Sequence, residues 1–117
     1  MTMPKPAVDF HETDLETGWE PVPGAGPGVE QKLLSGALDE DTGTGVRTRL
    51  IRLRPGTLVS EQFVHDYWEE VYLIDGALEV GDVLYRPPAY ACRPPGTPHG
   101  PFKSETGCLF FEIQYYV

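Results

Sequence analysis

The sequence predicts an all-β chain folded as a barrel or sandwich of short strands. Three observations carry that expectation. Gly 13 and Pro 12 are scattered through 117 residues, which cuts strands short and disfavours long helices. Turn signals recur at Pro55-Gly56, Asp75-Gly76 and Gly81-Asp82, with β-branched or aromatic runs between them. No segment has helical periodicity. The length fits one domain with a single core, and nothing repeats at a fixed period.

Taken in order, residues 1–30 are polar and loop-like, with the Pro/Gly-rich crossing 21–28 in their second half. Phe10 and Trp19 are expected to pin this arm onto the body, because wet aromatics are costly. Residues 29–38 read as the first strand, and 39–45 supply a turn dense in Asp, Thr and Gly. The alternating run 46–54 is a strand ended by Pro55-Gly56. Two more are expected over 57–65 and 69–74, joined near Asp66-Tyr67-Trp68. Asp75-Gly76 then reads as a hairpin turn between VYLI and ALEV, and Gly81-Asp82 as another leading into 83–85. Residues 90–93 and 108–116 complete seven or eight strands. The organisation expected is an N-terminal arm and first strand over 1–45, packed on a barrel core over 46–117.

Lys+Arg 9 against Asp+Glu 18 gives a net charge of −9. That field repels a phosphate backbone and anionic lipid surfaces, so neither nucleic acid nor membrane is an expected partner. The opening residues lack a basic stretch followed by a long apolar run, and no stretch is long enough to span a bilayer. A cytoplasmic location is expected. Cys92 and Cys108, the two cysteines, sit in apolar surroundings and read as buried reduced thiols.

The chemistry concentrates in two patches. In QFVHDYWEEVYLIDG, His65 stands four residues ahead of Glu69; in RPPGTPHGPF, His99 follows a stiff Pro-rich turn. On strands, Phe63, His65, Glu69, Val71 and Leu73 line one interior face if the turn preserves parity, while Gln62 points the other way. Fixed φ angles around Pro94, Pro95 and Pro98 limit how far the His99 imidazole can wander. Two imidazoles and a carboxylate form the donor set of a facial triad, with positions left open for water or substrate. His65, Glu69 and His99 are therefore the expected ligands of one divalent metal ion (Fe, Mn, Ni or Zn). Singly, each also reads as an ordinary residue: a hydrogen-bonded core histidine, a solvated strand charge, a surface turn. Phe63, Tyr67, Tyr90, Phe102 and Phe110 are candidates for the wall of an apolar substrate pocket, or simply core. Arg52, Arg54 and Arg93 read as edge ion pairs or as anchors for an anionic substrate. His11, in the polar arm, is expected in solvent. Ser35, Ser60 and Ser104 lack a nucleophile-elbow context, and Gly24 to Gly28 is too Pro-broken for a phosphate loop.

These two patches resemble the paired motifs of single-domain cupins. Gly56, His65, Glu69 and Gly76 match the first motif, with six residues between Glu69 and Gly76; Pro94, Gly96 and His99 match the second. EEVYLIDGAL, RPPGTPHGPF and GCLFF are similar to the cupin-like domain of ChrR-type anti-sigma factors, and to acetylacetone-cleaving and dihydroxyacetophenone-type dioxygenases. The resemblance covers about residues 45–117. Phe63 stands where the family's first histidine belongs, Pro88 replaces the second motif's opening glycine, and Lys103 its closing asparagine. The resemblance implies a double-stranded β-helix (jelly-roll barrel) that acts as a dioxygenase-like metalloenzyme on a carbonyl-rich or aromatic small molecule. It equally admits a non-enzymatic metal- or ligand-binding sensor domain, or a lyase, isomerase or polyketide cyclase on the same barrel. Residues 1–45 are too short and too rich in Pro and Gly for the anti-sigma helical module, which favours the enzyme. Exposed strand edges make a homodimer the expected assembly.

Overall fold

Ten strands and no helix form among the described residues, 5–117 of the computed structural model; positions 1–4 of the expected arm lie outside them. In chain order the strands are β1 (Glu20–Pro21), β2 (Val29–Asp39), β3 (Thr44–Leu53), β4 (Thr57–Val59), β5 (Trp68–Gly76), β6 (Leu78–Val80), β7 (Val83–Tyr85), β8 (Ala89–Arg93), β9 (Phe102–Ser104) and β10 (Cys108–Tyr115). Six of them form one antiparallel sheet in the order β1-β2-β3-β10-β5-β8, and four form a second in the order β4-β9-β6-β7. The short, turn-punctuated runs predict an all-β barrel or sandwich and the resemblance implies a jelly roll; two antiparallel sheets without a helix fit both. Among the described residues no helix is long and apolar enough to cross a membrane.

The core lies between the sheets. Val29, Ile51, Leu53, Leu73 and Cys108 come from the six-stranded sheet, and Val59 and Leu78 from the four-stranded one. Each fully buried aliphatic side chain contributes about 1.5–3 kcal/mol. Alternation decides what else points inward. β3 turns Arg47 and Arg49 to the same side as Ile51 and Leu53, and β10 turns Glu112 and Gln114 to the side of Cys108 and Phe110. One end of the interior is therefore apolar and the other polar.

Several expectations need correction. The run 57–65 is a strand only as far as Val59. Its partner β9 pairs Thr57 with Ser104 and Val59 with Phe102, and the next residue along β9 is Pro101, which has no N–H to extend the ladder. Past that point the segment is tied back by one isolated bridge, Phe63 with His99, and by the Gly96 N–H to the His65 carbonyl. β9 itself escapes prediction because its three residues, set between Pro101 and Gly107, are too few to show a period. Asp75-Gly76 is a corner between sheets rather than a hairpin. β5 runs through Gly76, opposite Cys108, and β6 begins two residues later in the other sheet. Phe10 is fully exposed and pins nothing. Trp19 does hold the arm, with the Arg52 guanidinium 4.3 Å from its ring centroid, within cation–π range. Cys92 is exposed on the outer face of edge strand β8, whereas Cys108 is buried, and both are free thiols.

Gly76 has φ +81°, and a Cβ there would sit 2.1 Å from the Gly107 carbonyl oxygen and 2.7 Å from the Cys108 Cα. Gly76→Ala is expected to cost at least ~2 kcal/mol, since left-handed strain is joined by a backbone clash. Gly96, with φ +80° and open space around it, is the control. Gly96→Ala should cost only about 1–2 kcal/mol from the strain alone, with both variants read by urea denaturation.

Candidate metal centre

Three separate elements deliver the candidate ligands to one point. Glu69 is the second residue of β5, His65 lies in the irregular segment before it, and His99 sits at the end of the Pro-rich turn after β8. Two backbone links join the segments. Phe63 N donates to His99 O at 2.8 Å and His99 N to Phe63 O at 2.9 Å, while Gly96 N donates to His65 O at 2.8 Å. His65 Nε2 is 3.8 Å from Glu69 Oε2, and His99 Nε2 is 3.6 Å from Glu69 Oε1. One donor atom from each residue lies within 4.8 Å of the other two.

The chemistry of the donors suits a metal. Ligands about 2.0–2.2 Å from one ion stand roughly 3 to 4 Å apart, and the two carboxylate–imidazole separations, each to a different oxygen of Glu69, fall in that span. His99 Nδ1 donates to Thr97 O at 3.3 Å, which leaves the Nε2 lone pair directed at the cluster. Burial holds both imidazoles below the usual histidine range; Glu69 opposes that shift, and the two rings disfavour each other's charge at His65. They are neutral donors at pH 7. Glu69 is buried at 4 % exposure and held from behind. Gln114 Nε2 donates to its Oε2 at 2.8 Å, and Arg93 Nη1 to its Oε1 at 3.3 Å.

A cavity of about 390 Å³ opens over this cluster. Phe63, Tyr67, Phe102 and Phe110 line it, together with Val71 and Leu78. Phe63 faces the interior, its ring centroid 6.3 Å from that of His65 and 6.1 Å from that of His99. Tyr67 stacks on His65 at 4.5 Å, and burial raises its phenol above the usual range. Tyr90 is a correction: strand parity puts it on the outer face of β8, 60 % exposed and bonded to Glu70. Arg52 and Arg54 both pair with Glu30 away from the cavity, while Arg93 lines it. Gln62 is exposed, its amide reaching Gly100 O at 3.4 Å, and His11 is exposed in the arm.

The polar residues behind the cluster were not among the expected site residues. Arg49 Nε contacts Glu112 Oε1 at 2.6 Å, and Arg47 Nε donates to Gln114 Oε1 at 2.9 Å. Their signal was present in the alternation of RTRLIRL and CLFFEIQY, where charged residues share the face of the apolar ones. Burial, with the like charge of Glu69, outweighs the Arg49 contact and pushes the Glu112 carboxyl up to about 7.

A family model described as the ChrR Cupin-like domain matches residues 8–117. The chain belongs to that family. Among solved structures, this cupin is similar to the acetylacetone dioxygenase of Acinetobacter johnsonii, at 18% identity and TM-score 0.68 over 93% of this chain and 75% of that one. An RmlC-like cupin from Shewanella frigidimarina gives 16% identity and TM-score 0.68 over 98% and 96%. The polyketide cyclase RemF from Streptomyces resistomycificus gives 16% and 0.67 over 92% and 80%. At such identities the likeness is one of fold. No curated protein matches by sequence.

Glu112 has a testable signature. Its folded pKa of about 7 lies above the ordinary 4.5, so the native state keeps a proton that the unfolded chain has released. Its contribution to stability is full below pH 4.5 and is lost as pH rises through about 7. The two lowered histidines act in the opposite sense, adding stability as pH rises toward 6.5. The difference in unfolding free energy between the parent and Glu112→Gln should therefore shift steadily against the parent from pH 4.5 to 7. Above 7 it should flatten, as read by urea titrations at fixed ionic strength.

Proposed function

We propose that this cupin is a metal-dependent enzyme acting on a carbonyl-rich or aromatic small molecule, with dioxygenase-like chemistry. The observation that carries the reading is the convergence of His65, Glu69 and His99 on an aromatic-lined cavity. His65 and His99 would hold the ion through Nε2 and Glu69 through a carboxylate oxygen. A bound divalent ion supplies Lewis-acid activation of an enolate or phenolate and, if redox-active, a route to dioxygen.

The protein's own groups do the rest. Gln114 and Arg93 orient the Glu69 carboxylate, and Thr97 O fixes the His99 tautomer. Phe63, Phe102 and Phe110 present apolar surface that excludes water from the reacting end of a ligand. Phe63, in place of a third histidine, leaves room beside the two imidazoles. Solved cupins of similar fold that are named as an acetylacetone dioxygenase and a polyketide cyclase support a small-molecule substrate.

Elemental analysis of protein purified without chelator should find about one divalent ion per chain. His99→Ala should abolish retention, Gln114→Leu should weaken metal affinity by about 10–100-fold, and Phe63→His should tighten it by adding a donor. Fe(II)-reconstituted protein should consume oxygen with a β-diketone or a hydroxylated aryl ketone, followed by an oxygen electrode and product mass. Turnover that persists without oxygen, or with zinc alone, would reassign the site to a lyase or isomerase. Tight metal binding with no turnover would reassign it to a sensor.

A further inference from the structure

The wall of the cavity built by β3 and β10 has chemistry that the metal cluster does not use. Arg47 and Arg49 both line the cavity, beside Gln31 and Glu112. Arg49 spends Nε on Glu112 and Nη1 on Gln31 Oε1, both at 2.6 Å. Arg47 directs Nε and Nη2 to a single acceptor, the neutral Gln114 Oε1. Among the described residues this leaves Arg49 Nη2 and Arg47 Nη1 without a protein acceptor. No buried side-chain nitrogen or oxygen lacks a partner, so these two nitrogens face open space rather than packed protein.

The charges on this wall do not balance. Two guanidinium groups share one contacting carboxylate; Arg47 hydrogen-bonds only the Gln114 amide, with Glu112 and Glu40 acting on it from a distance. Glu40, which also lines the cavity, is exposed and forms no ion pair with either arginine among the described residues. Across the cavity Arg93 relies on Glu69 for its counter-charge, and Glu69 is the carboxylate that an ion would claim. A half-buried cation without a counter-ion is costly, and an anionic oxygen from a ligand is the natural remedy. Gln114 also sets the scale, since its amide touches Glu69 on one side and Arg47 on the other. The two subsites are one side-chain amide apart.

We propose that Arg47 and Arg49 form an anion subsite, so that the ligand is a small oxo acid whose chelating carbonyl end meets the His65–Glu69–His99 cluster while a separate carboxylate meets the arginines. The inference rests on the metal reading above and narrows its substrate to an acid.

The probes are 4,6-dioxoheptanoate, a β-diketone carrying a distal carboxylate, and its neutral amide of the same shape, 4,6-dioxoheptanamide. Both are titrated calorimetrically into zinc-loaded protein, where no oxidation intervenes, and into protein stripped of metal. The acid is expected to bind zinc-loaded protein at least tenfold more tightly than the amide. Arg47→Gln, which keeps an N–H for Gln114 but removes the charge, should erase that preference by lowering the acid's affinity far more than the amide's. Arg47→Lys should restore part of it. Equal affinity of the two probes, no binding of the acid, or an Arg47→Gln loss shared equally by acid and amide overturns the proposal. If the acid keeps its preference while neither probe responds to zinc, the arginine subsite stands and the metal reading falls. If both probes need zinc but do not differ, the metal reading stands and the subsite falls.

Discussion

The burial of one carboxylate organises this molecule. Glu69 is placed inside the barrel by β5, and a buried charge is tolerated only when neighbouring groups take over the work of water. Here Gln114 of β10, Arg93 of β8 and the two imidazoles do so. Each comes from a different segment, so satisfying one side chain fixes the register of β5 against both sheet neighbours and the position of both loops. Gln114 stands directly across from Glu69 on one side and from Arg47 on the other. A one-residue slip in either pairing would turn that amide to the outer face and strand the carboxylate.

The polar end of the barrel is thus a chain of mutual obligations, running from Arg93 through Glu69 and Gln114 to Arg47, with Arg49 and Glu112 beside it. The apolar end has no such specificity. Val29, Ile51, Leu53 and Leu73 cohere by area alone and tolerate exchange among similar volumes. Stability comes mainly from the apolar half, and the geometry of the site from the polar half.

Much of this was legible in the sequence where local rules suffice. The strands around 29–38, 46–54, 69–74 and 108–116 follow from alternation and from the glycines and prolines that bound them, and His65, Glu69 and His99 stand out because each is a metal-ligand type beside a turn. Local rules fail where the partner decides. The loss of strand after Val59 depends on Pro101, 42 residues away in sequence and adjacent only in the fold. The sheet-to-sheet corner at Gly76 depends on the nearness of Gly107, and the inward turn of Tyr67 contrasts with the outward turn of Tyr90 although both are tyrosines in β-rich runs. Arg47, Arg49, Glu112 and Gln114 were visible as alternating positions, but charged residues on a strand are ordinarily taken for its wet face.

The single bridge between Phe63 and His99 sets the character of the mouth. The segments bearing the two imidazoles are not woven into either sheet; they are latched to each other by two amide hydrogen bonds, with a third from Gly96 to His65. Such a latch opens at far lower free energy than the sheets behind it. A ligand that joins His65 to His99 from the inside closes the same latch that the backbone closes from the outside. The protection of these amides from exchange is therefore a gauge of whether the mouth is filled, readable without any knowledge of what fills it.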